Sequence, residues 1–193
     1  MHKIIAMLLL GSTVSALPLG TALAEEAHVA PVTEYVTGKV KPWLTDAVII
    51  SAIKAQNATN AKLSDADILV LDKKWRAEVD GSNRATIDSV LNNALSKLLV
   101  EKKEKSEGAI TEIFIMDAKG LNVGQSDITS DYWQGDEAKF KKSFGAGKNA
   151  LFVDEVEKDE SSQTLQSQAS VTISDESGTP IGAVTIGINV DSL

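Results

Sequence analysis

The segment DYWQGDEAKF, residues 131–140, combines residue types that recognise small molecules. Tyr132 and Trp133 stand side by side in a chain that is only 5% aromatic, and acidic residues flank them. Aromatic rings supply a large contact area and a polar edge, and their faces attract cations. Asp136 could receive an ammonium group. The competing interpretation is that Trp133 fills the core while Asp136 caps a short helix.

Three other polar residues are candidates for a ligand site. Gln125 closes a predicted strand, where it could hydrogen-bond a ligand or equally face solvent. Asp154 interrupts the apolar strand ALFVDEV, and a buried carboxylate needs a partner. Arg76 is one of two arginines, the residue type that best pairs with a ligand carboxylate. The alternative for Arg76 is a solvent position on an amphipathic helix that buries Trp75.

The residue inventory disfavours catalysis. The chain has no cysteine and two histidines, His2 and His28, which removes thiol nucleophiles, Ser-His-Asp triads and zinc sites of the usual kind. It carries no P-loop and no glycine-rich dinucleotide fingerprint. Hydrolysis by two carboxylates stays open in principle, because the 27 acidic residues offer many pairs. We therefore predict a protein that is not an enzyme and that uses no metal or cofactor.

Residues 1–24 have the features of a secretory signal peptide. Lys3 precedes an apolar run, and residues 22–24 (ALA) form a cleavage site, so cleavage is expected after Ala24. Gly11 and Pro18 interrupt the run and disfavour an uncleaved membrane anchor. Export of a chain without cysteine indicates a soluble protein of a Gram-negative periplasm. The net charge of −8 disfavours nucleic acid and anionic lipid as partners.

The hydrophobic pattern changes from helical to strand-like near residue 108. Apolar residues recur every three or four positions over residues 33–57, where Pro42 should kink the helix or start a new segment, and again from residues 64 and 86. Five strands are predicted at residues 109–116, 121–125, 150–156, 163–174 and 184–190. We predict one α+β domain, in which residues 25–108 form a helical segment and residues 109–193 form an antiparallel sheet.

The order of these segments resembles the Cache domains, extracytoplasmic PAS-like sensor modules of bacterial receptors. The resemblance rests on the hairpin IFIMDAKGLNVGQS, the segment DYWQGDEAKF, and the ending SDESGTPIGAVTIGINV. It implies a PAS-like five-stranded antiparallel sheet, a long N-terminal helix with further helices packed on the sheet, and a small-molecule pocket on one side. It also implies that residues 131–140 contribute to the pocket wall, with Tyr132 and Trp133 near the ligand.

Two functions follow from this resemblance. The first is a soluble periplasmic sensor or binding protein for a small polar organic ligand of the amino acid, amine or carboxylate class. Such a protein would signal through a separate membrane partner, such as a receptor or kinase. The alternative is an interaction module without a ligand, which docks a membrane partner or a second copy through the helix predicted over residues 33–57. A homodimer is compatible with both.

Overall fold

A five-stranded antiparallel sheet forms from the segments rich in Ile, Val and Phe, as predicted. The computed structural model describes residues 27–158 and 165–193, so the predicted signal peptide and the first two residues of the predicted fourth strand lie outside it. The sheet has the order β2-β1-β5-β4-β3, which confirms the predicted α+β, PAS-like class. The strands are β1 Ile110–Asp117, β2 Asn122–Gln125, β3 Leu151–Lys158, β4 Leu165–Ser174 and β5 Pro180–Asn189.

The register of the strands gives the sheet two different faces. Phe114, Thr185 and Ser170 lie opposite one another across β1, β5 and β4, and we call their side of the sheet the polar face. Ile113, Ile186 and Ala169 form the neighbouring row. Because side chains alternate along a strand, this second row points to the opposite side, the helical face.

The N-terminal helical stretch is divided into short segments that cover the helical face. The predicted break near Pro42 is confirmed by a 3₁₀ turn, and Asp46 then caps the next helix by accepting from Val48 N at 2.8 Å. The helix predicted from residue 86 is also divided, because Asn93 starts a new segment by accepting from Ser96 N. The helices are α1 Val29–Tyr35, a π-helical turn Val36–Val40, the 3₁₀ turn Lys41–Trp43, α2 Ala47–Asn60, α3 Asp65–Val79, α4 Ala85–Leu91 and α5 Ala94–Glu104.

Three hydrophobic clusters stabilise this arrangement. The largest packs α1, the π-helical turn, α2 and α5 on the helical face. A second cluster surrounds the buried Trp75 beside β2. A third lies on the polar face, where Phe140 of α6 (Ala138–Lys141) and Phe144 of the following 3₁₀ turn pack toward Phe114. Among residues 27–158 and 165–193, no helix is long and apolar enough to cross a membrane.

Candidate ligand-binding site

A small hollow of about 210 Å³ lies on the polar face, between α6, the edge strand β3 and its neighbour β4. Its wall is almost entirely polar, and acidic residues outnumber basic ones. The hollow is therefore suited to a compact, polar molecule rather than to an apolar one. The lining residues are Glu137, Lys139, Asp154, Glu155, Glu157, Gln166 and Gln168.

Lys139 is the cation of the hollow, and it is largely enclosed. Its side chain is 15% exposed, its Nζ lies 2.9 Å from Glu137 Oε2, and the same Nζ lies 5.5 Å from the centre of the Phe114 ring. The amine therefore sits between one carboxylate and one aromatic face. An enclosed ammonium that retains donor capacity is a strong partner for an incoming anionic group.

Beyond the hollow, buried hydroxyl groups follow Gln166 and Gln168 on the same face of the sheet, toward its middle. Ser170 Oγ and Thr185 Oγ1 are both buried and lie 2.9 Å apart. Only one proton can occupy that hydrogen bond, so the other hydroxyl proton needs a different acceptor. Thr172 Oγ1 is also buried, and it has no hydrogen-bond partner within the described residues. Buried polar groups are normally paired, so the Thr172 hydroxyl indicates a place for ordered water or for part of a ligand.

Amide and carboxylate groups form the opposite end of the lining. Gln168 Nε2 donates to Glu112 Oε1 at 2.8 Å, and Thr111 Oγ1 donates to Gln166 Oε1 at 2.7 Å. Both bonds cross over β5 at Gly187, where a Cβ atom would lie 2.3 Å from Thr111 Oγ1. Glycine is therefore required at this position for the side chains of β1 and β4 to meet.

Three of the predicted site residues are held together by Asp72, a buried residue of α3. Asp72 Oδ1 accepts the backbone N–H groups of Tyr132 at 2.9 Å and Trp133 at 3.0 Å. Arg76 is exposed, as in the alternative interpretation, and its Nε donates to Asp72 Oδ2 at 2.7 Å while Nη2 donates to Asp131 at 3.0 Å. The segment that follows β2 is thus anchored to α3 by a charged hydrogen-bond network.

The aromatic pair of the segment is directed into protein rather than into the hollow. The Tyr132 ring stacks on the Trp75 ring, with centroids 5.2 Å apart. Burial, followed by the negative charge of Asp117, raises the pKa of Tyr132 to about 12. Trp133 Nε1 donates to the Lys119 carbonyl at 2.9 Å, and a Cβ atom on Gly135 would lie 2.3 Å from the same Nε1. These contacts explain why glycine follows so closely after the tryptophan.

The remaining predicted site residues occupy three different environments. Gln125 is buried, accepts from Asn122 Nδ2 at 3.1 Å, and has an unpartnered Nε2 within the described part of the chain. Asp136 is exposed. Asp154 alone of the six predicted residues lines the hollow, where its backbone carbonyl accepts from His28 Nε2 at 2.8 Å. Ligand contact by all six stays a prediction.

Lys139, Glu137 and Gln168 line the hollow but are not among the predicted site residues. A usable signal existed for β4, because Gln166, Gln168, Ser170 and Thr172 place polar groups at every second position of a largely buried strand. Lys139 and Glu137 carried no comparable signal, since charged residues at a helix start are usually solvent-exposed.

The fold is similar to solved sensor domains. The Vibrio cholerae histidine kinase DctB sensor domain is 12% identical with a TM-score of 0.48, covering 89% of this chain and 55% of that chain. The Campylobacter jejuni chemoreceptor Tlp3 ligand-binding domain, in complex with 4-methylisoleucine, is 12% identical with a TM-score of 0.40, covering 79% and 64%. The Escherichia coli DcuS sensor domain is 12% identical with a TM-score of 0.39, covering 66% and 89%.

These structures belong to the class of module that the sequence resemblance named. The chain spans less than two thirds of the length of the first two structures. No protein-family model matches the sequence, and a search of curated proteins found no match. Function therefore has to be inferred from the side chains of this chain.

Proposed function

We propose that this protein is a periplasmic sensor or binding protein whose small polar organic ligand occupies the hollow on the polar face. The observation that carries the proposal is the enclosed Lys139 amine in a hollow whose other lining side chains are all polar. Lys139 has donors beyond the one that its pair with Glu137 uses, and a binding surface keeps such groups for its ligand.

The size and charge of the hollow restrict the ligand. Its volume of about 210 Å³ lies below the roughly 300–1,000 Å³ of sites for drug-sized molecules. Lys139 would hold a carboxylate, and the acidic lining at Asp154 and Glu155 would hold an ammonium group. A zwitterionic amino acid satisfies both ends, and a simple amine satisfies the acidic end alone.

The same proposal includes where the protein works and how it passes on its signal. The predicted signal peptide would export the chain to the periplasm, where amino acids and amines are accessible. The signal would pass to a separate membrane receptor or kinase. Catalysis is not needed for this role.

A thermal-shift screen followed by calorimetry tests the proposal. The purified protein is mixed with the standard amino acids, GABA, putrescine and succinate. A ligand at 100 times its Kd should stabilise the protein by about 2.7 kcal/mol. For a compound that binds, Lys139→Met should weaken affinity about tenfold or more, whereas the control Lys141→Met, exposed on the same helix, should leave it unchanged. Equal affinities in both variants would contradict the site assignment.

The alternative function, an interaction module without a ligand, is favoured by one observation. An apolar hollow of about 770 Å³ runs along α1 and is lined by Val29, Ala30, Thr33, Glu34, Thr37 and Gly38. Sedimentation equilibrium of the protein and of Ala30→Arg distinguishes the two functions. A dimer that the arginine abolishes, together with a flat ligand screen, would favour the interaction module.

A further inference from the structure

A third hollow, of about 740 Å³, lies between α2 and α5, among the helices rather than on the polar face. The gap exists because the facing side chains are short, chiefly Ala52 and Ala55 on α2 and Ala94 on α5. Leu95 and Val123 line its inner surface, and Tyr132 lines one part of the wall. We call it the helical groove. It shares no lining residue with the hollow on the polar face.

One end of the helical groove carries polar groups in fixed orientations. Asp117 is fully buried, and its Oδ2 accepts from Gln56 Nε2 at 3.1 Å and from Asn60 Nδ2 at 2.7 Å. Because both amides turn their N–H groups toward Asp117, their carbonyl oxygens are left as acceptors at the groove wall. Within the described residues, neither Gln56 Oε1 nor Asn60 Oδ1 has a hydrogen-bond donor.

The Tyr132 hydroxyl is the third polar group of the groove. Tyr132 is only 9% exposed, and its hydroxyl has no hydrogen-bond partner among residues 27–158 and 165–193. Its ring cannot turn away, because the stack on Trp75 and the bond from its N–H to Asp72 hold it in place. The ring is buried, whereas the hydroxyl lines the groove, where it can bond a bound molecule.

The charge of the wall decides which ligand fits. No described residue that lines the helical groove is charged, and the nearby Asp117 already accepts four hydrogen bonds, including those from Lys119 N and Leu121 N. An anion would meet the negative charge of Asp117 with no cation to offset it. The groove therefore favours a neutral molecule. Such a molecule needs N–H donors for the two amide oxygens and an atom that can bond the Tyr132 hydroxyl. A flat apolar body would fit between the alanine walls.

From this combination we propose that the helical groove is a second binding site, which takes a neutral heterocyclic or amide-bearing ligand of the nucleobase type. Gln56 and Asn60 accept its N–H groups, and Tyr132 donates to or accepts from its ring. The alanines of α2 and α5 enclose its faces. The site is independent of the ligand in the hollow on the polar face.

Methyl NMR on the purified protein tests the proposal, with adenine and nicotinamide as neutral probes and benzoate as the anionic control. We expect adenine or nicotinamide to shift the methyl resonances of Ala52, Ala55 and Ala94, and benzoate to leave them unchanged. Ala55→Leu fills the groove and should abolish the shifts. Ala58→Leu, an exposed alanine of the same helix outside the groove, should retain them.

Tyr132→Phe separates the hydroxyl from the ring that packs on Trp75. It should weaken binding of the neutral probe about tenfold while the fold, followed by the remaining methyl resonances, is retained. The proposal is overturned if neither neutral probe shifts the groove methyls, if Ala55→Leu binds like Ala58→Leu, or if benzoate binds as well as nicotinamide.

Discussion

Asp72 should be one of the most sensitive positions of the chain, although it lies on a helix with a polar surface pattern. It is 7% exposed and accepts three hydrogen bonds, two from the backbone of Tyr132 and Trp133 and one from Arg76. Asp72→Ala leaves two backbone N–H groups without an acceptor. Each buried unpaired group costs about 1–3 kcal/mol, so the variant should lose about 2–6 kcal/mol of unfolding free energy. That is a large part of the roughly 5–15 kcal/mol of a typical domain.

Two companion variants separate the backbone bonds of Asp72 from its ion pair. Arg76→Ala removes the same ion pair and the one to Asp131, but the Arg76 side chain is 55% exposed, so the cost should be about 0–1 kcal/mol. Asp72→Asn keeps an oxygen for the two N–H groups but loses the charge and the acceptor that Arg76 Nε uses, so its cost should lie between the other two. Urea unfolding followed by tryptophan fluorescence measures all three. If Asp72→Ala costs no more than Arg76→Ala, the anchoring role assigned to Asp72 is wrong.

Three further predictions concern pH, backbone geometry and helix capping. The unfolded tyrosine ionises near pH 10, whereas Tyr132 in the folded protein ionises only near pH 12, so the free energy of unfolding should fall as pH rises between these values. Tyr132→Phe should make that fall shallower when unfolding by urea is measured at each pH. An unchanged slope would count against the burial argument. Gly120→Ala should cost at least about 1–3 kcal/mol, since φ is +81° and a Cβ would lie 2.6 Å from the Gly135 backbone; Gly38→Ala, with open space around it, is the control. Glu78→Ala should speed amide exchange at Thr86 N and Ile87 N, which Glu78 accepts at 2.7 and 3.1 Å, and unchanged exchange there would refute the capping role.

The sheet could be predicted because its causes are local. Strand segments are rich in Ile, Val and Phe, and the β1–β2 turn carries its own stabilising residue, since Asp117 Oδ1 accepts from Lys119 N and Leu121 N. The break between α4 and α5 could not be predicted, because the apolar spacing continues through it. Asn93 causes the break, and its Nδ2 bonds the Val123 carbonyl, thirty positions away in the chain.

The environment of the aromatic pair depended on an equally distant contact. Tyr132 and Trp133 have the composition of a ligand wall, yet Asp72, sixty positions earlier in the chain, holds their backbone. In sequence, Asp72 looks like any acid on an exposed helix. The enclosure of Lys139 was hidden for the same reason, because it depends on Phe114 from a distant strand. Local patterns thus predicted the elements, whereas contacts between distant segments decided which side chains meet.

The position of β3 at the edge of the sheet also affects how readily copies of this protein associate with one another. β3 is the outermost strand on one side of the sheet, and such edges can recruit strands from other molecules into aggregates. Asp154, Glu155 and Glu157 give this edge a run of negative charge, so two copies that approach edge to edge would repel each other. The opposite edge strand, β2, has four residues and is bordered by Tyr132 and Trp133. We therefore expect the acids beside the hollow also to oppose aggregation at high concentration, and changing all three to their amides should bring self-association that sedimentation velocity would detect.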